Sequence, residues 1–224
     1  MQGKTIVMTG AFGILGRATT TLATARGATV AMLDVATPST APASGALVAA
    51  VDLTNLDAAR AAMRKVHDST GRIDALLNIA GGFVWQTVTD GDEKAWDRMF
   101  TLNLKTALNA SKAALPFLIE ANGAIVNVGA NAALNAAAGM GAYAASKAGV
   151  HKLTESLAQE LKGRVRVNAV LPSILDTPQN RADMPKVDPA LWVKPESLAE
   201  VLLFLASDAA RDVTGALLPV TGRV

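Results

Sequence analysis

The stretch from Thr5 to Asp34 limits the possible folds more than any other part of the chain. Thr5-Ile6-Val7-Met8-Thr9 is a short apolar run suited to a buried strand. It breaks at Gly10-Ala11-Phe12-Gly13-Ile14-Leu15-Gly16. A helical pattern follows, with Leu15, Ala18, Leu22 and Ala25 on one face and a stop at Gly27. A second strand, Thr29 to Leu33, ends in Asp34. Strand, glycine turn, helix, strand and acid, in that order, predict a parallel βαβ start, which commits the rest of the chain to alternate in the same way.

The order also carries chemistry. Glycines at a strand-to-helix turn let the backbone approach a pyrophosphate seated on the helix N-terminus. Gly10, Phe12, Gly13, Ile14, Leu15 and Gly16 are the candidates for that contact. Asp34 lies 24 residues past Gly10, close to the spacing of an acid that accepts from the hydroxyls of an adenosine ribose. A carboxylate there repels a 2′-phosphate, so NAD(H) is expected over NADP(H). The glycines alone would also suit an ordinary βα turn; the placement of Asp34 favours the cofactor reading.

The alternation continues. Residues 35 to 45 read as a loop. Leu47 to Val51 reads as a third strand, followed by Asp52-Leu53-Thr54-Asn55. Asp52 could meet an adenine amino group, with Leu53 beside it, or could serve in turn or helix capping with Thr54 and Asn55. A helix is expected from Leu56 to Ser69. Ile73 to Ile79 predicts a fourth strand, and the small residues Ala80 and Gly81 at its end would let a ribose lie against the backbone. Phe83 and Trp85 follow in a loop, where they could stack on a flat substrate or belong to core or interface. Glu93 to Phe117 reads as a long helix ending near Pro116, with Asn103 inside it. Gly123 to Gly129, Arg164 to Leu171 and Ala216 to Val220 complete the strands, with a long irregular connection from Ser173 to Val193. The prediction is a single doubly wound α/β domain over 1–224, with a mainly parallel sheet of about seven strands. Ligands in such sheets bind outside the strand carboxyl ends.

Composition narrows the functions further. The chain has 224 residues, half of them apolar, enough for one well-filled core. A net charge of +2 gives no case for nucleic acid. Without cysteine there is no disulfide, thiolate metal site or thiol nucleophile, and His67 and His151 cannot build a histidine-rich metal centre. No metal site is therefore expected. Met1-Gln2-Gly3-Lys4 leads straight into a strand, and no apolar run has membrane-spanning length. A cytoplasmic protein without membrane contact is the expectation.

Tyr143 and Lys147 stand one turn apart at the start of an Ala-rich helix, Tyr143-Ala144-Ala145-Ser146-Lys147, with apolar positions at Ala148, Leu153, Leu157 and Leu161. A phenolate and an ammonium ~4 Å apart at an effective dielectric near 20 attract by roughly 4 kcal/mol. That would lower a tyrosine from about 10 by at most roughly 3 pH units. Such a pair can exchange a proton near neutral pH. A chance pairing on a solvated helix is the other reading. His151 is expected to pack beside the helix and not to act as a base.

Taken together, the glycine turn, Asp34, Asp52, Asn78-Ile79-Ala80-Gly81, Asn103, Tyr143-x-x-x-Lys147 and Pro172-Ser173-x-x-x-Thr177 resemble the short-chain dehydrogenase/reductase family over nearly the whole chain. The resemblance implies a Rossmann-type fold and an oxidoreductase that transfers hydride to or from a small-molecule substrate. By it, Tyr143 donates or takes the proton, Lys147 holds the nicotinamide ribose and lowers the Tyr143 pKa, and Asn103 holds a relay water. Thr177 and the Pro172–Ile174 backbone, through Ser173, steady the nicotinamide. A homodimer or homotetramer is implied as well. Two departures stand out. The glycines are spaced G-x-x-G-x-x-G instead of G-x-x-x-G-x-G, and the family's serine, thirteen residues before the tyrosine, is Ala130. Both are shared by one branch, dihydropteridine reductase, which the chain also resembles in Gly129–Leu134, Ala148–His151 and Leu175–Pro185. The implied acceptor is a quinonoid dihydropterin. The alternatives are a general carbonyl or alcohol dehydrogenase in which Asn131, Ser146 or a water replaces the serine, and an NAD-binding regulatory protein with vestigial activity.

Overall fold

In a computed structural model that describes residues 1–36 and 47–224, the chain forms one parallel sheet covered on both faces. Among the described residues there are seven strands: β1 (Thr5–Thr9), β2 (Thr29–Asp34), β3 (Leu47–Ala50), β4 (Ala75–Asn78), β5 (Ala124–Val128), β6 (Arg166–Pro172) and β7 (Leu217–Val220). Their spatial order is β3-β2-β1-β4-β5-β6-β7, every pair parallel. The order reverses between β1 and β4, which opens a crevice at the carboxyl edge. The loop expected over 35 to 45 lies, from 37 on, outside the described residues.

Alternation along the strands divides the core. Val7, Leu33, Leu76 and Ile125 face α2 (Leu56–Thr70), α4 (Thr106–Glu120) and α5 (Gly141–Glu160). Ile6, Met8, Leu77 and Val126 face α1 (Ile14–Ala25) and α7 (Pro195–Ala206). Because both faces are covered, the strands read as continuous apolar runs. Local signals set the helix ends. The Asn55 side chain accepts from the amides of Asp57 and Ala58 to cap α2, and Gly71 ends it at φ 74°.

Two helical expectations change. The stretch expected from Glu93 to Phe117 divides into α3 (Lys94–Met99), a π-helical turn over Phe100–Lys105, and α4. The Thr106 hydroxyl takes the Leu102 carbonyl, 2.7 Å away, where the hydrogen-bond register returns to α. Pro116 does not end α4; it lies on the exposed face with Lys112, so water can replace the amide that proline lacks. On α5 the deeply buried stripe is Lys147, Val150, His151, Thr154 and Leu157, while Ala148 and Leu153 are only half-buried. The connection after β6 is also shorter in irregular backbone than expected. It contains α6 (Pro178–Asp183), capped by Thr177, and a Leu175–Val193 bridge ties its ends together. No helix among the described residues is long and apolar enough to cross a membrane.

Candidate active site

The β1–α1 turn forms one end of a cleft of about 630 Å³ at the carboxyl edge of the sheet. Gly10, Phe12, Gly13, Ile14, Leu15 and Gly16 all line it, with Asp34, Asp52 and Leu53 to one side and Ala80 and Gly81 further along. Gly10 sits at φ +62°, and a Cβ there would come within 2.7 Å of the Ala80 amide nitrogen. A Cβ on Gly16 would lie 2.7 Å from the Ala11 backbone. The turn is thus as tight as backbone allows. α1 begins after Gly13 with no side-chain cap and no acid in its first turn. Its first amides therefore need partners from outside the helix, and an anion such as a pyrophosphate could supply them.

Asp34 does two things at this end. One oxygen accepts from the Phe12 amide (3.0 Å) and the other from the Ala36 amide (3.2 Å), so the carboxylate braces the turn and still lines the cleft. Asp52 accepts from the Thr54 hydroxyl (2.7 Å) and amide (2.9 Å) with one oxygen. These bonds hold it below the usual aspartate range. Capping of α2 falls to Asn55, not Asp52. Leu53 is buried, and its carbonyl takes the Asn109 side chain (2.9 Å). An NAD-type cofactor fits these residues: uncapped amides for the diphosphate and carboxylates where its hydroxyls and amino group would need acceptors.

The other end is assembled from side chains. A Cβ on Gly81 would stand between Asn103 and Lys147, 3.4 Å from the lysine Nζ, so these two groups close around that glycine. Asn103 clasps the Gly82 backbone in both directions: its Oδ1 accepts from the amide (2.8 Å) and its Nδ2 donates to the carbonyl (3.1 Å). Nδ2 also donates to the Ser146 hydroxyl (2.9 Å), which donates in turn to the Tyr143 carbonyl (2.7 Å). Asn103 thus holds the Gly82 backbone through both its side-chain atoms. Ser146 is fully buried and both ends of its hydroxyl are engaged, which removes it as a replacement for a serine at position 130.

Tyr143 and Lys147 share the first turns of α5, as expected, but not the expected coupling. The Lys147 ammonium donates to the Val128 carbonyl (2.7 Å). Burial lowers Lys147 to about 8 and raises Tyr143 to about 12. The expected lowering of the phenol by its neighbour is therefore not present here; burial alone accounts for its shift. The Phe83 ring meets Tyr143 edge-on at 5.0 Å between centroids. Trp85 covers Gly139, and the Gln86 amide donates to the Gly139 carbonyl (2.8 Å), which joins the loop after β4 to the loop before α5. Phe83, Trp85 and Leu134 remain more than half exposed, an apolar rim beside the phenol.

Pro172, Ser173 and Ile174 do not line the cleft, and neither do Tyr143, Lys147 and Asn103, of which Lys147 and Asn103 meet it at Gly81. The Ser173 amide and hydroxyl donate to Val220 and Thr221, so this segment closes onto β7. Leu175 and Thr177 reach the cleft instead, with Leu102 and Thr106 from the π turn and α4. Sequence reasoning missed Leu175, Leu102 and Thr106, since apolar and threonine positions in these segments carry no chemical signature. Among the described residues no cluster of His, Asp or Glu could hold a metal.

Comparison with known proteins agrees with this geometry. The family model described as short chain dehydrogenase matches residues 4–188. The 3-oxoacyl-[acyl-carrier-protein] reductase FabG of Thermotoga maritima is 35% identical over 99% of this chain and 98% of its own. The meso-2,3-butanediol dehydrogenase of Serratia marcescens is 34% identical over 99% of this chain and 94% of its own. Carveol dehydrogenase from Mycobacterium avium in complex with NAD superposes with a TM-score of 0.88 at 26% identity, covering 99% of this chain and 97% of that one.

Proposed function

The chain belongs to the short chain dehydrogenase family and is an oxidoreductase of the NAD(P)-binding type, and from that premise we propose that it is an NADH-dependent reductase of a conjugated, electron-poor ring such as a quinonoid dihydropterin. One observation carries the substrate reading. Where family resemblance puts a serine, Ala130 is buried, and its amide is turned to His151. With Ser146 engaged elsewhere, Tyr143 is left as the acid. Losing one preorganised donor typically costs ~10²–10³ in rate. A quinonoid ring tolerates that loss, because it is already electrophilic and needs little polarisation. The exposed rim of Phe83, Trp85 and Leu134 suits a flat ring.

The roles follow from position. Bound NADH would supply the hydride. Asp34 accepts from the adenosine ribose and disfavours a 2′-phosphate; Asp52 accepts from the adenine; the amides after Gly13 take the diphosphate. Lys147, beside Gly81, holds the second ribose. A phenol pushed up to about 12 by burial stays protonated at neutral pH, so Tyr143 holds the proton that the reduction needs, as a weak acid. In the reduction the hydride brings two electrons to the ring and the Tyr143 proton completes the addition. Both Asn103 donors are spent on Gly82 and Ser146, so a relay water would meet an oxygen of that residue. The exposed Trp96, Phe100 and Leu108 near α3 and α4, with Phe204 and Leu218 at α7 and β7, support a homodimer or homotetramer.

The test is NADH oxidation with freshly prepared quinonoid dihydropterin beside simple ketones. Turnover at least tenfold faster on the pterin is expected; equal or slower turnover removes the ring reading. A second reading, a carbonyl or alcohol dehydrogenase, is supported by the names of the FabG and butanediol relatives. Under it Ala130→Ser should speed ketone reduction.

A further inference from the structure

His151 lies one turn beyond Lys147, 4% exposed, and none of the roles above uses it. Its Nε2 accepts the Ala130 amide at 3.3 Å. Three successive side chains on one face of α5 hold the end of β5. Lys147 donates to the Val128 carbonyl (2.7 Å), His151 accepts from Ala130, and the Thr154 hydroxyl accepts from the Asn127 side chain (2.8 Å).

The middle contact is specific in two ways. The Gly129 amide makes the last bond from β5 to β6, to Val170 at 2.9 Å. Ala130 is the first residue beyond that ladder; it is buried, so its amide needs an acceptor that no strand supplies. The imidazole supplies one. It also fills the space beside Gly129, where a Cβ would lie 2.5 Å from Nε2. Only an imidazole with unprotonated Nε2 can accept, which assigns the proton to Nδ1.

We propose that His151 is a positioning residue: as a neutral imidazole accepting the Ala130 amide, it sets the seat of α5 on the end of β5 and so places Tyr143 and Lys147 against the cleft. This rests on the reading of Tyr143 and Lys147 as the reacting pair. Burial, then the Lys147 ammonium, keep His151 below its ordinary value. Lys152 acts in the same direction and Glu155 against it; Gly129, Ala130 and Leu171, packed from β5 and β6, bring no charge.

Two variants separate acceptor from shape. His151→Leu removes the acceptor, whereas His151→Gln keeps one in its side-chain carbonyl. With quinonoid dihydropterin and NADH, the leucine variant is expected to lose kcat at least tenfold and, because Lys147 shifts with Tyr143, to raise the KM for NADH. The glutamine variant should recover to within threefold of the parent. Two readouts need no substrate. Tyr143 is the only tyrosine, so its ¹³C ring resonances report its placement; they should move in the leucine variant and return in the glutamine one. In a His67→Gln background the remaining imidazole is His151, and its ¹⁵N spectrum at pH 7 should show the neutral Nδ1–H form. An Nε2–H or charged imidazole, unmoved Tyr143 resonances, or a glutamine variant no better than leucine would each overturn the proposal. If leucine fails to fold, the parent spectrum and the glutamine variant decide. If the parent does not reduce the pterin, the substrate reading fails, and the Tyr143 and imidazole spectra still judge His151.

Discussion

At the α1 end of the cleft the chain presents backbone: a turn too tight for side chains at Gly10 and Gly16, and helix amides left uncapped. At the Tyr143 end it presents side chains that hold one another, Asn103 to Ser146 to the Tyr143 carbonyl and Lys147 to the Val128 carbonyl. The first arrangement recognises shape and charge that many cofactor-using proteins share. The second fixes a phenol, on the proposed reading the proton donor, in an apolar setting, where small displacements alter the chemistry. The division implies that binding and turnover can be damaged separately.

The largest expected effect tests that separation directly. Tyr143→Phe removes the phenolic proton and keeps the ring that meets Phe83. Turnover should fall by ~10²–10⁴, the usual contribution of a positioned acid. NADH affinity, measured by fluorescence titration, should stay within twofold. A matching loss of NADH affinity would join the two ends and break the comparison.

The two ends also differed in how far the sequence revealed them. The β1–α1–β2 unit was legible because its requirement is steric: three glycines at a strand end and an acid at the next strand end leave few alternatives, and all of these residues line the cleft. Tyr143 and Lys147 were legible as a pair by helical spacing, but their electrostatics were not. Spacing places two groups on a face without saying that Lys147 turns to Val128 or that burial governs both. The π turn around Asn103 was hidden for a similar reason. Phe100 to Lys105 has ordinary helical composition, and the partner that Asn103 grips from the wider turn, Gly82, is 21 residues away. Pro172 to Ile174 resemble a cofactor segment by sequence; in the structure Ser173 donates to Val220 and Thr221, and the Ile174 carbonyl accepts from Val193.

A smaller effect sharpens the cofactor end. Asp34→Ser removes the charge that, on the proposed reading, disfavours a 2′-phosphate, and weakens the brace on Phe12. A hydrogen bond to a charged group contributes about 1.5–3 kcal/mol, roughly tenfold to a hundredfold in affinity. The ratio of NADH to NADPH affinity should fall by roughly a hundredfold, with kcat at saturating cofactor changed little. An unchanged ratio would mean that Asp34 only braces the turn.

The smallest effect is on stability, and it belongs to the Tyr143 end alone. Lys147 is lowered from 10.5 to about 8 and Tyr143 raised from 10.0 to about 12, both by burial. For Lys147 the unfolded chain takes its proton first, so stability present above 10.5 is lost as pH falls through 8. For Tyr143 the unfolded chain ionises first, so stability present below 10 is lost as pH rises through 12. Between pH 8 and 10 the lysine acts alone, and urea midpoints should rise with pH across that window. Lys147→Met should flatten the rise. The buried charge costs up to roughly 3 kcal/mol by the size of its shift, and losing its bond, which leaves the Val128 carbonyl unpaired, returns about 1.5–3 kcal/mol of that. The variant should therefore be no less stable than the parent at pH 7, by up to about 1.5 kcal/mol the more stable of the two, and inactive. That outcome is expected where a charge is kept for reaction against the preference of the fold. A methionine variant less stable than the parent at pH 7 would make Lys147 a structural tie, and the two ends of the cleft would then differ less than their materials suggest.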